Sequence, residues 1–374
     1  MKKKSLLLLI CCLVLLTGCW DQRLFKDAKL IMGATFDLTD DGQVKDTVSV
    51  LIPETGTERA TEGNAHIETG IGDNLFDARN EIDKQLAYKF DPSKLEVLLI
   101  GEELAKQDIY SVLDGYYRAP RNNLSAEIAV VEGEAAEAFA VTTDQEPRIS
   151  EHIVGLLDAV SDTTHSHGDN VQLICAELFE PGIDIALPLL TVDKDANKVN
   201  YKGLALFHDK HYHGTSLNAE QATLLLLMDN KKGKVARITR KVSEKGEPRM
   251  ARYLSAEVTN HNRNLKITPS GGTISVDINL DLYVNVVEYP LDKLTDPNKI
   301  TELEKKLSET LTKEAEEVIS LLQEAHSDVL GIGRRTEAFH YDTWKQMDWE
   351  KDFKTITITP KVNVVIQEHG VHSN

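Results

Sequence analysis

Ile274-Ser275-Val276-Asp277-Ile278-Asn279-Leu280-Asp281-Leu282-Tyr283-Val284-Asn285-Val286 alternates apolar and polar residues almost without a break. A two-residue period sends one set of side chains to each face of a strand, so the segment predicts a sheet with one face on a core and the other in water. Downstream, Leu303, Leu307, Leu311, Ala315, Val318, Leu322 and Ala325 recur at steps of three or four, which predicts a long helix over 296–326 carrying an apolar stripe. Asp296 suits the cap of that helix, and Pro297 suits its first turn, where a missing N–H costs nothing. Ile356, Ile358, Val362, Val364 and Ile366 return to the strand period. Pro360 lies among them and confines that strand to a sheet edge or a bulge. Residues 269–374 therefore predict an α+β domain whose long helix packs on a small sheet.

Working toward the N-terminus, Tyr201-Lys202-Gly203-Leu204-Ala205-Leu206-Phe207 opens a smaller middle unit, 201–268, with a turn expected at His208-Asp209-Lys210-His211 and a helix over 218–228. Residues 19–200 read differently. Leu95-Glu96-Val97-Leu98-Leu99-Ile100-Gly101 and Glu127-Ile128-Ala129-Val130-Val131 are short apolar runs separated by helical patterns, which predicts an α/β domain with strands buried on both faces. Leu30 to Leu38 and Val44 to Ile52 predict a hairpin around Asp40-Asp41-Gly42. Residues 55–72, rich in Thr, Glu and Gly, predict an exposed loop, and Asp73 is the expected cap of a helix reaching Tyr88. The fold class is thus mixed α/β and α+β, in three domains.

The first 18 residues stand apart from this fold. Lys2-Lys3-Lys4 precedes an apolar stretch, Leu6 to Leu16, that is too short for the ~20 residues of a spanning helix. Thr17-Gly18-Cys19 then supplies small residues before a thiol, so the segment is expected to be a cleaved signal with Cys19 as the lipidated N-terminus. Two acyl chains on that sulfur give stable anchoring where one gives only marginal binding. Removing residues 1–18 leaves 356 of the 374 residues, enough for several domains. Cys19 and Cys175 are then the only cysteines, so no internal disulfide is expected, and Cys175 reads as a small buried hydrophobe. The formal charge is −18, and −21 without the three leader lysines. Such a surface repels phosphate backbones and argues against nucleic-acid binding.

Two histidine groups carry ligand chemistry: His165-Ser166-His167 with Asp169, and His208, His211 and His213. Neither has the spacing of a zinc helix motif, and both fall where turns are expected, so solvated turns are the reading and no metal is assigned. Gly331-Ile332-Gly333 lacks the further glycines of a nucleotide loop. There is no nucleophile elbow, Cys-x-x-Cys pair or His-Glu-x-x-His, and no catalytic or cofactor-binding residue is assigned. The aromatic group Trp344, Trp349 and Phe353 reads first as packing against the long helix, with partner contact as the alternative.

Several of these segments together carry a resemblance. Leu16-Thr17-Gly18-Cys19-Trp20-Asp21, Leu95 to Gly101 followed by Glu102, Tyr201 to Phe207, the long helix, and Asp328-Val329-Leu330-Gly331-Ile332-Gly333 followed by Trp344 and Trp349 make the chain similar to the C subunits of spore germinant receptors, the Ger(x)C lipoproteins. Family members often carry a proline before the first tryptophan; here the loop is Arg335-Thr336-Glu337-Ala338-Phe339-His340. The resemblance implies a three-domain protein held by its lipid on the outer face of the spore inner membrane. Its partners would be integral-membrane A and B subunits, and its role non-enzymatic, in receptor assembly or signal coupling. A lipid-anchored solute-binding protein is the alternative, expected to show two similar lobes around one cleft.

Overall fold

The computed structural model describes residues 28–51, 65–86, 89–142, 148–291 and 294–368. Cys19 and the whole leader lie outside them. Strands β1 (Ala28–Leu38), β2 (Val44–Leu51), β3 (Ala65–Gly72), β4 (Lys89–Asp91), β5 (Val97–Gly101), β6 (Glu127–Val131), β7 (Ala186–Asp193), β8 (Lys198–His208) and β9 (His211–Asn218) form, among the described residues, one nine-stranded mixed sheet. Its order is β3-β2-β1-β5-β6-β7-β8-β9, with β4 beside the start of β1. The central four strands run parallel, and antiparallel pairs flank them.

Helices cover both faces of that sheet. Helices α1 (Leu75–Gln85), α2 (Glu102–Ala105), α3 (Tyr110–Tyr117) and α6 (Val171–Glu177) pack with Leu98, Ile100, Ile128 and Val130. Helices α4 (Ala136–Phe139) and α5 (Ile149–Asp162) pack with Val97, Leu99, Ala129 and Val131. Alternate residues of β5 and β6 thus enter different cores, which is why these strands are uninterrupted apolar runs.

Two expectations need correction here. Ala65–Gly72, inside the expected loop, is a strand paired with β2. Its glycines are a packing requirement: a Cβ on Gly70 would stand 2.1 Å from the Ala78 carbonyl oxygen, and one on Gly72 2.3 Å from the Ala78 nitrogen, because α1 lies directly on the strand. The cap of α1 is Asn74 rather than Asp73, its side chain accepting from the Asp77 N–H.

The second sheet, again among the described residues, contains β10 (Arg237–Lys241), β11 (Tyr253–Ser270), β12 (Thr273–Glu288) and β13 (Thr357–Glu368) in that order. The expected middle unit divides between the sheets: β8 and β9 complete the first, and β10 and β11 belong to the second, so a boundary at 200/201 falls inside β8. Helix α7 (Ala219–Met228), capped by Asn218 and Gln221, is buried along nearly its whole length between them. Strand β8 is a wall shared by two cores, with Ala205 and Phe207 in the first and Leu204 and Leu206 in the second.

Helix α8 (Pro297–Ala325) covers the second sheet, and all seven residues of its expected stripe are buried. Asp296 caps it and Pro297 opens it. The helix also shields the edge of β13. The N–H groups of Val362, Val364 and Ile366 donate to Thr312 Oγ1 (3.0 Å), Ser308 Oγ (2.9 Å) and Glu304 Oε1 (2.9 Å). Acceptors four residues apart on the helix thereby meet donors two apart on the strand. Pro360, the next position in that series, has no N–H to satisfy. Among the described residues no helix is long and apolar enough to cross a membrane.

Candidate functional site at the junction of the sheets

After α8 the chain stops sharply. His326 adopts the left-handed conformation (φ 60°), and the Ser327 N–H returns to the Leu322 carbonyl at 2.8 Å, a helix stop that usually uses glycine. Asp328 follows, fully buried. Its carboxylate accepts from the N–H groups of Ile332 (2.9 Å) and Gly333 (2.7 Å), fixing the start of α9 (Ile332–Phe339). Its own N–H donates to Asp184 Oδ2 at 2.8 Å, and its carbonyl accepts from the Asp184 N–H at 3.1 Å. Asp184, just before β7, also accepts from the Asp209 N–H at 2.7 Å. One aspartate from the first unit thus holds the stop of α8 and the turn after β8 together.

The backbones meet closely beside this bond. The Arg334 N–H donates to the Gly182 carbonyl at 2.7 Å. A Cβ on Gly182 (φ 71°) would lie 2.5 Å from the Arg334 nitrogen, and one on Gly333 2.5 Å from Trp349 Nε1. Burial pushes the Asp328 carboxyl well above its ordinary pKa, against the two N–H donors, with the Asp184 charge raising it further.

A small cavity of about 100 Å³ opens here, lined by Glu180, Asp184, His208, His326, Trp349 and Glu350 among others. His208, at the end of β8, stacks on His326 with ring centroids 4.2 Å apart. His208 Nε2 lies 3.1 Å from Glu350 Oε2, and Nδ1 lies 3.8 Å from Asp184 Oδ1. Asp184 raises the His208 pKa against the opposing effect of burial, and Glu350 adds to the rise. The His326 pKa is lowered, first by burial and then by His208.

The residues singled out from sequence are distributed unevenly around this junction. The Trp344 and Trp349 rings are 5.4 Å apart and those of Trp349 and Phe353 5.6 Å apart, across α10 (Tyr341–Trp344) and α11 (Trp349–Asp352). Phe353 is 1% exposed, inside the second core, and its ring is not available to a partner; Trp344 and Trp349 are half-buried. His208 stays beside its sequence neighbours, in register with His211 and 6.2 Å from the His213 ring, while stacking on His326 and reaching Glu350. His167 and Asp169 approach within 3.3 Å and join Asp229 and Lys231 in a separate ionic cluster, whereas His165 Nδ1 lies 2.8 Å from Thr163 Oγ1. Cys175 is buried, which pushes its thiol up to about 11. Sequence reasoning missed Asp184, His326 and Glu350, which only the fold brings together. The available signal was a non-glycine residue at a helix stop.

Residues 21–192 match the spore germination protein N-terminal domain, and residues 202–370 match the spore germination B3/GerAC-like C-terminal domain. The chain belongs to this spore germination protein family. Among its curated relatives, the putative spore germination protein YfkR of Bacillus subtilis is 25% identical, over 97% of this chain and 95% of its own length. Spore germination protein GerQC of Bacillus cereus is 20% identical, over 96% of each. The crystal structure of the GerBC protein superimposes with a TM-score of 0.58 at 19% identity, covering 89% of this chain and 96% of that one. That likeness concerns the fold. In this germination protein, the junction joins the last turn before β7, in the N-terminal domain, to the Asp328–Gly333 segment of the C-terminal domain.

Proposed function

We propose that the chain is a lipid-anchored, non-enzymatic subunit of a nutrient germinant receptor, acting in receptor assembly or signal coupling beside integral-membrane A and B subunits. The observation that carries this reading is the pair of family domains, which together cover nearly the whole chain from Asp21 onward. The match begins two residues after Cys19, where a processed lipoprotein would start. Attachment through Cys19 to the outer face of the spore inner membrane confines the protein to the plane of its partners, so that weak contacts suffice for assembly. The shared wall β8 and the Asp184–Asp328 bonds favour a rigid coupling element over a solute-binding protein, whose lobes close around a ligand. The junction cavity is also small: about 100 Å³, against ~300–1,000 Å³ for typical ligand pockets.

Replacing Cys19 by Ala tests the proposal in spores where this receptor is limiting. The variant is expected to lack the lipid by mass spectrometry, to leave the membrane fraction, and to slow nutrient germination. Normal germination by an unlipidated variant would remove anchoring from the mechanism. Failure of the wild-type chain to co-purify with two multispanning proteins would remove the receptor reading itself.

A further inference from the structure

We propose that His208, His326 and Glu350 form a binding site for a divalent transition-metal ion of the zinc class at the junction of the two units. The inference is independent of the receptor reading above. One ligand atom from each residue lies within 4.8 Å of the others. Two imidazoles and a carboxylate are a donor set suited to zinc, with a fourth position left for water. The three residues come from the end of β8, the stop of α8 and the second residue of α11, so a bound ion would tie the first sheet to two segments of the second unit.

Buried atoms at the site have unused bonding capacity. His208 Nδ1 and His326 Nε2 are both shielded from solvent without a hydrogen-bond partner. Buried polar atoms are normally satisfied; Asp184 is the acid facing His208 Nδ1, and the orphaned His326 nitrogen calls for an explanation. Asp184 supplies the supporting arrangement. Its Oδ1, held by the Asp209 N–H, stands 3.8 Å from His208 Nδ1, while Nε2 of the same ring faces Glu350. A carboxylate behind one imidazole nitrogen commonly orients the other toward a metal.

Binding requires contraction. Tetrahedral bonds of the usual length place ligand atoms ~3.4 Å apart, so separations of up to 4.8 Å must close by up to ~1.4 Å. Glu350 is exposed and free to move inward. The stacked His326 ring must turn about its outer torsion so that its lone pair converges with that of His208, and the adjoining cavity gives it room. Lys354 adds a positive charge near His326, which the carboxylates of Glu350 and Asp184 oppose.

Calorimetric titration of the full chain in detergent with zinc chloride, near pH 7.5, tests the site. One ion per chain is expected, together with a higher melting temperature than in EDTA. His326→Asn removes the imidazole while keeping a residue that tolerates the left-handed conformation, and Glu350→Gln changes only an exposed group. Both are expected to melt like the parent in EDTA and to bind zinc ~10-fold or more weakly. His211→Asn with His213→Asn should leave binding unchanged. Absence of saturable binding overturns the proposal, as does full affinity in both His326→Asn and Glu350→Gln, or loss of binding in the His211/His213 variant alone.

Discussion

The two sheets meet the same requirement, removal of apolar surface from water, in different ways. The first is covered on both faces, and its central strands divide their side chains between two cores: Leu98 and Ile100 enter one, Val97 and Leu99 the other. The second concentrates Ile278, Leu280, Leu282 and Val284 into a single core under α8, while Asp277, Asn279 and Asp281 point away. A sheet with two covers has redundancy. A sheet with one depends on its helix, and here that helix also shields the β13 edge.

Leu311→Ala strikes the second sheet where this dependence is greatest. Leu311 is 1% exposed in the middle of the α8 stripe, and its truncation should cost ~2–5 kcal/mol of stability. Because β8 walls both cores, the loss should appear at one denaturant midpoint by two probes: far-ultraviolet dichroism, which sees the whole chain, and tryptophan fluorescence, which is weighted to Trp344 and Trp349. A fluorescence transition that runs ahead of the dichroism would separate the units and break the shared-wall argument.

Gly182→Ala addresses the junction itself, with a smaller effect. The left-handed backbone there costs a side chain roughly 1–2 kcal/mol, and the new Cβ meets the Arg334 nitrogen at 2.5 Å. The expected signature is local: amide exchange should accelerate across 328–336, where Arg334 loses its carbonyl partner, with little change in β5 and β6. Unchanged exchange in that segment would mean that the two units do not depend on this contact for their docking.

How far each region was legible follows from the same contrast. In the one-sided sheet, β12 and β13 announced their faces and α8 its stripe, Asp296 and Pro297, because polar and apolar residues had separate places to go; β10 and the place of β11 in this sheet went unread. The two-sided sheet announced strands but not their order, since a run such as Val97 to Ile100 is apolar whichever neighbour it pairs with. Ala65–Gly72 was misread because glycines required by a helix lying on a strand look like glycines of a loop. The junction was least legible. Asp184 and Asp328 are bonded across a large sequence separation, and no local period marks either; likewise His208 had closer histidines in sequence than the one it stacks on.

The last expected effect concerns pH, where the two regions again differ. In the second unit the buried cation Arg240 is paired, its Nε 2.8 Å from the carboxylate of Glu314, so its charge is compensated. The first unit instead places Glu127, at the start of β6, largely out of water and facing Asp158 on α5. Burial first, then the Asp158 carboxylate, pushes the Glu127 pKa up from 4.5 to about 8. A folded-state pKa above the unfolded one means that the native chain holds a proton the unfolded chain has released. The stability this contributes is fully present below about pH 4.5 and is lost as pH rises through about 8. Glu127→Gln keeps the size and a hydrogen-bonding amide but cannot ionise. Its stability, from urea unfolding at a series of pH values, should therefore fall less steeply than that of the parent across this window, the two curves diverging toward the alkaline end. Parallel curves would show that Glu127 ionises in the fold without cost, and that the acid facing another acid in the first unit is as well accommodated as the paired charge of the second.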